Sequence, residues 1–456
     1  MISIDHRIGD GNMAGAARAQ GPAASPWLRR LTFGLLGFYG LLSVYVLWRA
    51  ALLTPYFDEI DWILRWREFQ AHGDWGRYLL EPVNLHRLPM IFGLIAFDIA
   101  AFGGTNVPLI LSGALGLAVM AAMLGREAAK AAPPPLALPA AALAVMVALM
   151  GSNVLDAATP ICVNYIHGAS LAVLAMVLAE GDQRRGMSWR RLGALAAAMA
   201  AGFGDAAALA VWPVFAIGAL RRRDWPWLAA VLAAGAAFVG AYAWGQGEAT
   251  HGSTAGALAN PLLAIRLALN LLVLPWTVAN IQLAWIAGLV IAAVGLAGVA
   301  LRGGRGASRS ERIACSFILF SLGVAAMAGL GRTTPDALNT PLRYGVLLAP
   351  LQTGLLMLAL PYAGELWRAN RSLVQALCAA VLVLATVQDV LMAVAAVRTN
   401  DKIRTVLADY HAGRRTPEML VFVHPDLAHA ERVYADMRRD GLFQRELHLK
   451  RLREAR

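Results

Sequence analysis

The chain has 456 residues, of which 58% are hydrophobic and only 15% charged, with a mean hydropathy of +0.55. Soluble domains carry charges on about a quarter of their residues, so this composition excludes a soluble globular protein and points to an all-α polytopic membrane protein. The net charge of +11 does not mark a nucleic-acid binder, because the arginines fall in short clusters between apolar runs, as the positive-inside rule requires.

Residues 1–30 read as a Gly/Ala-rich, disordered cytoplasmic leader. Residues 31–50 are an uninterrupted apolar run preceded by Trp27, Arg29 and Arg30. The run is longer than a secretory h-region and lacks a small-residue cleavage site, so it reads as a retained anchor. A first outer loop, 51–87, follows with Tyr56-Phe57-Asp58-Glu59-Ile60-Asp61-Trp62 near its start and Asn84-Leu85-His86-Arg87 at its end. Carboxylates crowded at a membrane edge repel one another and hold water, which a purely structural loop has little reason to tolerate. The segment therefore reads as an active-site loop.

Later in the chain, basic clusters at Arg126/Lys130, Arg184/Arg185/Arg190/Arg191, Arg221/Arg222/Arg223, Arg302/Arg305/Arg309/Arg312 and Arg368/Arg371 can all be cytoplasmic if the runs between them cross in pairs. Spans at 31–50, 107–125, 136–151, 165–180, 225–244, 281–301, 312–331, 345–363 and 372–397 give about nine crossings, and eleven or twelve if two irregular segments also cross. One of these, 88–102, is short and bounded by Pro89 and Gly103-Gly104, and reads as a re-entrant or interfacial helix. The other, 192–220, joins two basic clusters and carries Gly202, Gly204, Asp205 and Pro213, which suggests two short helices entering from the cytoplasmic side. Residues 31–397 would form the membrane domain, and 398–456 a small extracytoplasmic α/β appendage with a β-like run at 419–423. Cys162, Cys315 and Cys378 are too scattered for a disulfide framework or a zinc site.

Polar residues that need explaining collect on the outer side. Asp58, Glu59 and Asp61 are candidate catalytic acids, although Asp58 also suits an N-cap and Asp61 a first-turn acid favoured by the helix dipole. Trp62, Trp66, Trp75 and Tyr78 suit the headgroup level, and Ile60, Ile63, Leu64 and Arg67 one stripe of a helix lying flat. Asn84, His86 and Arg87 combine a proton carrier with a guanidinium fork suited to phosphate, against a plain reading of Arg87 as interfacial snorkelling. Arg332 in Gly331-Arg332-Thr333-Thr334-Pro335-Asp336 and the pair Arg343-Tyr344 lie opposite the cytoplasmic clusters, so each arginine there wants a carboxylate or a bound phosphate. Asp156, Asn164, Tyr165 and His167 form a weaker set, and Asp98 and Asp205 sit within apolar segments.

In layout, the chain resembles the GT-C class of integral-membrane glycosyltransferases, which draw sugars from polyprenyl-phosphate carriers at the extracytoplasmic face. A retained first helix, an acidic first outer loop and a late outer arginine all correspond. More narrowly it resembles an uncharacterised bacterial group with D-x-x-D-W, N-E-H-R, G-R and R-Y motifs, here Asp58-Glu59-Ile60-Asp61-Trp62, Asn84-Leu85-His86-Arg87, Gly331-Arg332 and Arg343-Tyr344. Leu85 departs from the glutamate of that group, with Glu81 nearby.

The resemblance implies a bacterial inner (plasma) membrane enzyme of the cell envelope, acting on a polyprenyl-phosphate-linked donor and a glycan, lipid or protein acceptor. Asp58, with Glu59 or Asp61 beside it, would take the acceptor hydroxyl's proton, while Asn84, His86, Arg87, Arg332, Arg343 and Tyr344 bind the substrate. No cofactor is required, and a divalent cation is optional because the arginines supply the positive charge. The rival readings are a transporter or flippase for a lipid-linked or anionic substrate, which needs ionisable groups in paired broken helices, and a purely structural assembly subunit.

Overall fold

Apolar runs bounded by arginines fold into long helices whose ends define two opposite faces. A computed structural model describes residues 25–83, 86–182, 186–245, 254–274, 276, 283–304, 306–333 and 342–443. The helices are α1 (Pro26–Ala50), α2 (Asp58–His72), α3 (Trp75–Leu80), α4 (Pro89–Phe102), α5 (Val107–Ala131), α6 (Ala137–Ala148), α7 (Gly151–Ala158), α8 (Val163–Gly181), α9 (Trp189–Gly204) and α10 (Val211–Arg222). They continue as α11 (Trp225–Ala243), α12 (Thr254–Ala259), α13 (Pro261–Leu271), α14 (Ala284–Arg302), α15 (Arg309–Gly331), α16 (Gly345–Ala369), α17 (Arg371–His411), α18 (Met419–Phe422) and α19 (Leu427–Arg439).

Among the described residues, eight helices are long and apolar enough to cross a membrane: α1, α5, α8, α11, α14, α15, α16 and α17. A ninth span exists if α6 and α7, bent by 46°, are taken together. These nine coincide with the nine apolar runs of the sequence.

The bend between α6 and α7 would strand backbone groups in an apolar layer where water cannot reach them. Two buried polar side chains answer it. The Asp389 carboxylate, from α17, accepts the Gly151 N–H at 2.6 Å, and the Asn153 amide donates to the carbonyls of Val147 at 3.2 Å and Ala148 at 3.0 Å. A Cβ on Gly151 would lie 2.6 Å from the backbone nitrogen of Ala393, so glycine is what lets the broken span touch α17.

Ion pairs bring the basic clusters to one face. Arg309 at the start of α15 reaches Glu127 near the end of α5 at 2.5 Å. Arg222 and Arg312 share Glu180 of α8 at 2.7 and 3.1 Å, and Arg191 of α9 meets Asp224 at 2.7 Å. At the opposite face the Leu52 N–H donates to the Ala158 carbonyl at 3.0 Å, and the Asn400 amide to Ala50 at 2.6 Å. The two irregular segments fit this frame. Because Arg191 and Asp224 touch, α9 and α10 both have their outer ends on the basic face, and Asp205 forms the tip of an inverted V. A Cβ on Gly204 would lie 2.5 Å from the Gly168 nitrogen, so paired glycines let α9 close on α8 just below that tip. Neither end of α4 reaches the basic face: Arg87 before it bonds the end of α11, and Gly103 after it accepts the Phe443 N–H at 3.0 Å.

Three local expectations change. The stripe Ile60 and Ile63 faces not the membrane but the C-terminal segment, joining Val406, Tyr410, Val433 and Tyr434 in one buried cluster. Trp62, Trp66 and Tyr78 are buried with Phe92 of α4 rather than spread along an interface, because α2 is sandwiched between the tail and α3–α4. The run 419–423 is a helical turn, and the described tail has no strand: Met419 and Val423, four residues apart, are both buried while Val421 is 64% exposed, a period that only a helix gives. α17 runs unbroken from Arg371 to His411, through position 397.

Candidate functional site

At the face opposite the basic clusters, the first turn of α2, the turn before α4, the tip between α9 and α10, the start of α8, the end of α15 and the turn opening α16 converge. Phe57 occupies the N-cap of α2 with φ +52°, a region disfavoured for a side-chain-bearing residue, and Asp58 is therefore the first helical residue rather than the cap. The Phe57 N–H donates to the Val423 carbonyl at 2.6 Å, which anchors the strained residue to the tail.

Three acids share that first turn, and the structure sends them three ways. Asp58 is half-buried and lies within electrostatic reach of Arg343, His86, Tyr56 and Cys162. Glu59 is 1% exposed and turns inward, with one carboxylate oxygen buried without a hydrogen-bond partner; burial pushes its carboxyl up to about 8. That makes it a neutral acid beneath the site rather than a base within it. Asp61 points away from the arginines, to His429 at 2.8 Å and His424 at 3.5 Å in the tail.

His86 is held in a tight turn by reciprocal backbone bonds with Val83 at 2.8 Å. Its Nδ1 accepts the Ala206 N–H at 3.4 Å and lies 3.9 Å from Asp205 Oδ2, so the tip of the V orients the ring. With Nδ1 accepting, the neutral ring carries its proton on Nε2. Burial, partly offset by Asp205 and reinforced by Arg332 and Arg343, lowers its pKa below the usual value. Arg87 is directed elsewhere: its guanidinium donates to the carbonyls of Tyr242 at 2.8 Å, Leu80 and Trp244. A fork consumed by backbone oxygens is a staple between the loop and α11, which removes it from the phosphate-binding set. Asn84 and Asp336 lie outside the described residues.

Arg332 donates through Nε to the Tyr344 hydroxyl at 2.6 Å and through Nη2 to the Tyr165 hydroxyl at 3.4 Å. Arg343 lies 5.6 Å from the Tyr165 ring centroid, and its Nε is buried without a hydrogen-bond partner. Among the described residues neither arginine forms a salt bridge, whereas the buried guanidiniums of the opposite face do. Asp156 adds a carboxylate within reach of Arg343, and one oxygen each of Asp156 and Asp205 is buried without a hydrogen bond.

Sequence reasoning thus placed Asp58, His86, Arg332, Arg343 and Tyr344 near one another, and undervalued Tyr165, Asp156 and Asp205. Their signal was available: each is a polar group in or beside an apolar segment on the site side. Tyr56 and Cys162 carried none, since both types are ordinary in cores. No protein-family model, curated protein or solved structure matches this chain.

Proposed function

We propose that the protein is a GT-C-like inverting glycosyltransferase that moves a sugar from a polyprenyl-phosphate-linked donor to an acceptor on the extracytoplasmic side of a bacterial inner membrane. The observation that carries the reading is a carboxylate, Asp58, within electrostatic reach of Arg343, beside which Arg332 lies; neither guanidinium forms a salt bridge among the described residues. Asp58 takes the acceptor hydroxyl's proton as its oxygen attacks the anomeric carbon; the bond from that carbon to the lipid phosphate breaks, and its electron pair leaves with the phosphate. Arg332 and Arg343 meet the charge that develops on the leaving oxygen, with the Nε2–H of His86 as a further donor, so they favour the transition state over the bound donor. Tyr344 and Tyr165 orient Arg332. Glu59 and Asp61 have no direct part in this scheme, and no metal is needed for it.

The test is transfer from radiolabelled polyprenyl-phosphate hexoses or pentoses by the full chain in liposomes. Asp58→Asn should abolish transfer while the protein stays monodisperse, and retained transfer would remove Asp58 as the base. A transporter or flippase for the same lipid-linked substrate is the second reading, favoured by the broken pair α9–α10 ending at the site. It predicts substrate translocation that persists in Asp58→Asn.

A further inference from the structure

The acid that the anion site does not use has its own partners. Asp61 presents both carboxylate oxygens to imidazoles of the tail: Oδ1 to His429 Nε2 at 2.8 Å and Oδ2 to His424 Nε2 at 3.5 Å. One ligand atom from each residue falls within a 4.8 Å sphere of mutual distances, and a tetrahedral zinc with ligands at about 2.0–2.1 Å separates neighbouring ligand atoms by roughly 3.3 Å. The two imidazole rings lie 5.1 Å apart and tilted by 39°, turned toward one carboxylate rather than stacked. Asp426 organises both. Its backbone carbonyl and N–H lie 2.9 and 3.0 Å from His424 Nδ1, which holds the ring with Nε2 toward Asp61, and its side chain caps α19 by accepting the His429 N–H at 2.9 Å. Both histidines are mostly covered, with side-chain exposures of 13% and 20%, while Asp61 at 50% leaves the cluster open on one side.

We infer that Asp61, His424 and His429 form a binding site for one divalent transition-metal ion, zinc first among them, which ties the first turn of α2 to α19. Two imidazoles and a single carboxylate select a borderline ion over magnesium or calcium, which take oxygen ligands. Three protein ligands leave a fourth position for water. Since Asp58 and Asp61 sit one turn apart on α2, the ion would also fix the orientation of the helix that carries Asp58, which makes its ligands positioning residues. The inference stands apart from sugar transfer and holds even if that reading fails.

The experiment uses the full chain without a polyhistidine tag, in nanodiscs and stripped by chelator. Zinc is titrated against a chromophoric competitor, cobalt(II) is read by its visible absorption, and hydrogen exchange of residues 427–439 is followed with and without zinc. The expected result is one zinc per chain, intense tetrahedral-type cobalt bands, slower exchange in α19, and no competition from magnesium. His424→Ala and His429→Ala should each weaken zinc binding at least 100-fold, and the exposed His72→Ala should not. Absent binding, binding that magnesium displaces, or unchanged affinity in both histidine variants would overturn the assignment. If the variants misfold, the unsubstituted chain decides: no cobalt bands, or no zinc effect on α19 exchange, rejects the site.

Discussion

Arginines at the two faces of this bundle keep different company. On the basic face they meet acids: Arg191 with Asp224 at 2.7 Å, Arg222 and Arg312 with Glu180, Arg309 with Glu127. On the opposite face Arg332 and Arg343 stand among tyrosines, and the nearby carboxylates of Asp58, Asp156 and Asp205 do not close on them. The difference separates two uses of one residue type. A buried charge that is already neutralised holds helices together, while a half-buried charge held short of its counter-ion attracts an anion from outside. The first face is finished by folding; on the proposed reading the second is completed by a ligand.

The strongest way to break this contrast is at the paired face. Asp224→Ala leaves Arg191, only 1% exposed, without its acid and should cost about 3–5 kcal/mol of stability, read as a fall in unfolding midpoint in detergent. A small change there would mean that pairing is not what that face relies on. At the other face, Arg343→Gln should lower the transfer rate by about 10²–10³-fold with little change in unfolding midpoint. If stability falls instead and the surviving protein turns over normally, Arg343 is a structural cation and the contrast disappears.

A pH series sharpens the picture beneath the site. Glu59 keeps its proton up to about 8 when folded, against 4.5 in an exposed chain, so its contribution to stability is complete below pH 4.5 and is lost as pH rises through about 8. Taken at its full extent the loss is on the order of 5 kcal/mol, and Glu59→Gln should flatten the dependence of the unfolding midpoint between those limits. An unchanged slope would place the proton elsewhere. The smallest expected effect lies at the broken span: Asn153→Ala strands the Val147 and Ala148 carbonyls and should cost about 1–3 kcal/mol, again by unfolding in detergent.

Much of this arrangement was legible beforehand, and the reasons are specific. Among the described residues apolar length marked the eight candidate spans and the bent pair α6–α7, because a backbone in lipid has few options besides a helix about 20 residues long. The sign rule for loops then placed the short helix α4 and the V of α9 and α10, whose ends return to one face. What failed were judgements about where an amphipathic surface goes. The Trp62 and Trp66 side chains suit a membrane interface and a protein interior equally well, and only the presence of α4 and the tail decided for the interior. Arg87 looked like its neighbours in every sequence respect; carbonyls of Tyr242 and Trp244, far along the chain, and of nearby Leu80 claimed it. Asp389, which satisfies the broken span, drew no notice because a lone acid within an apolar run shows nothing of the bend it serves.

By itself the sequence determined that this chain lives in a membrane, which helices are fit to cross it, and that its early acids and late arginines share one side, since burial in lipid and loop charge are set by composition and length. Only the tertiary structure decided which acid does what. Residues along a helix are about 100° apart, so Asp58, Glu59 and Asp61 must point in different directions, and which one meets the arginines depends on the rotation of α2. That rotation is fixed by burying Ile60 and Ile63 against the tail on one side and Trp62 and Trp66 against α4 on the other, contacts between segments hundreds of residues apart that no local pattern encodes.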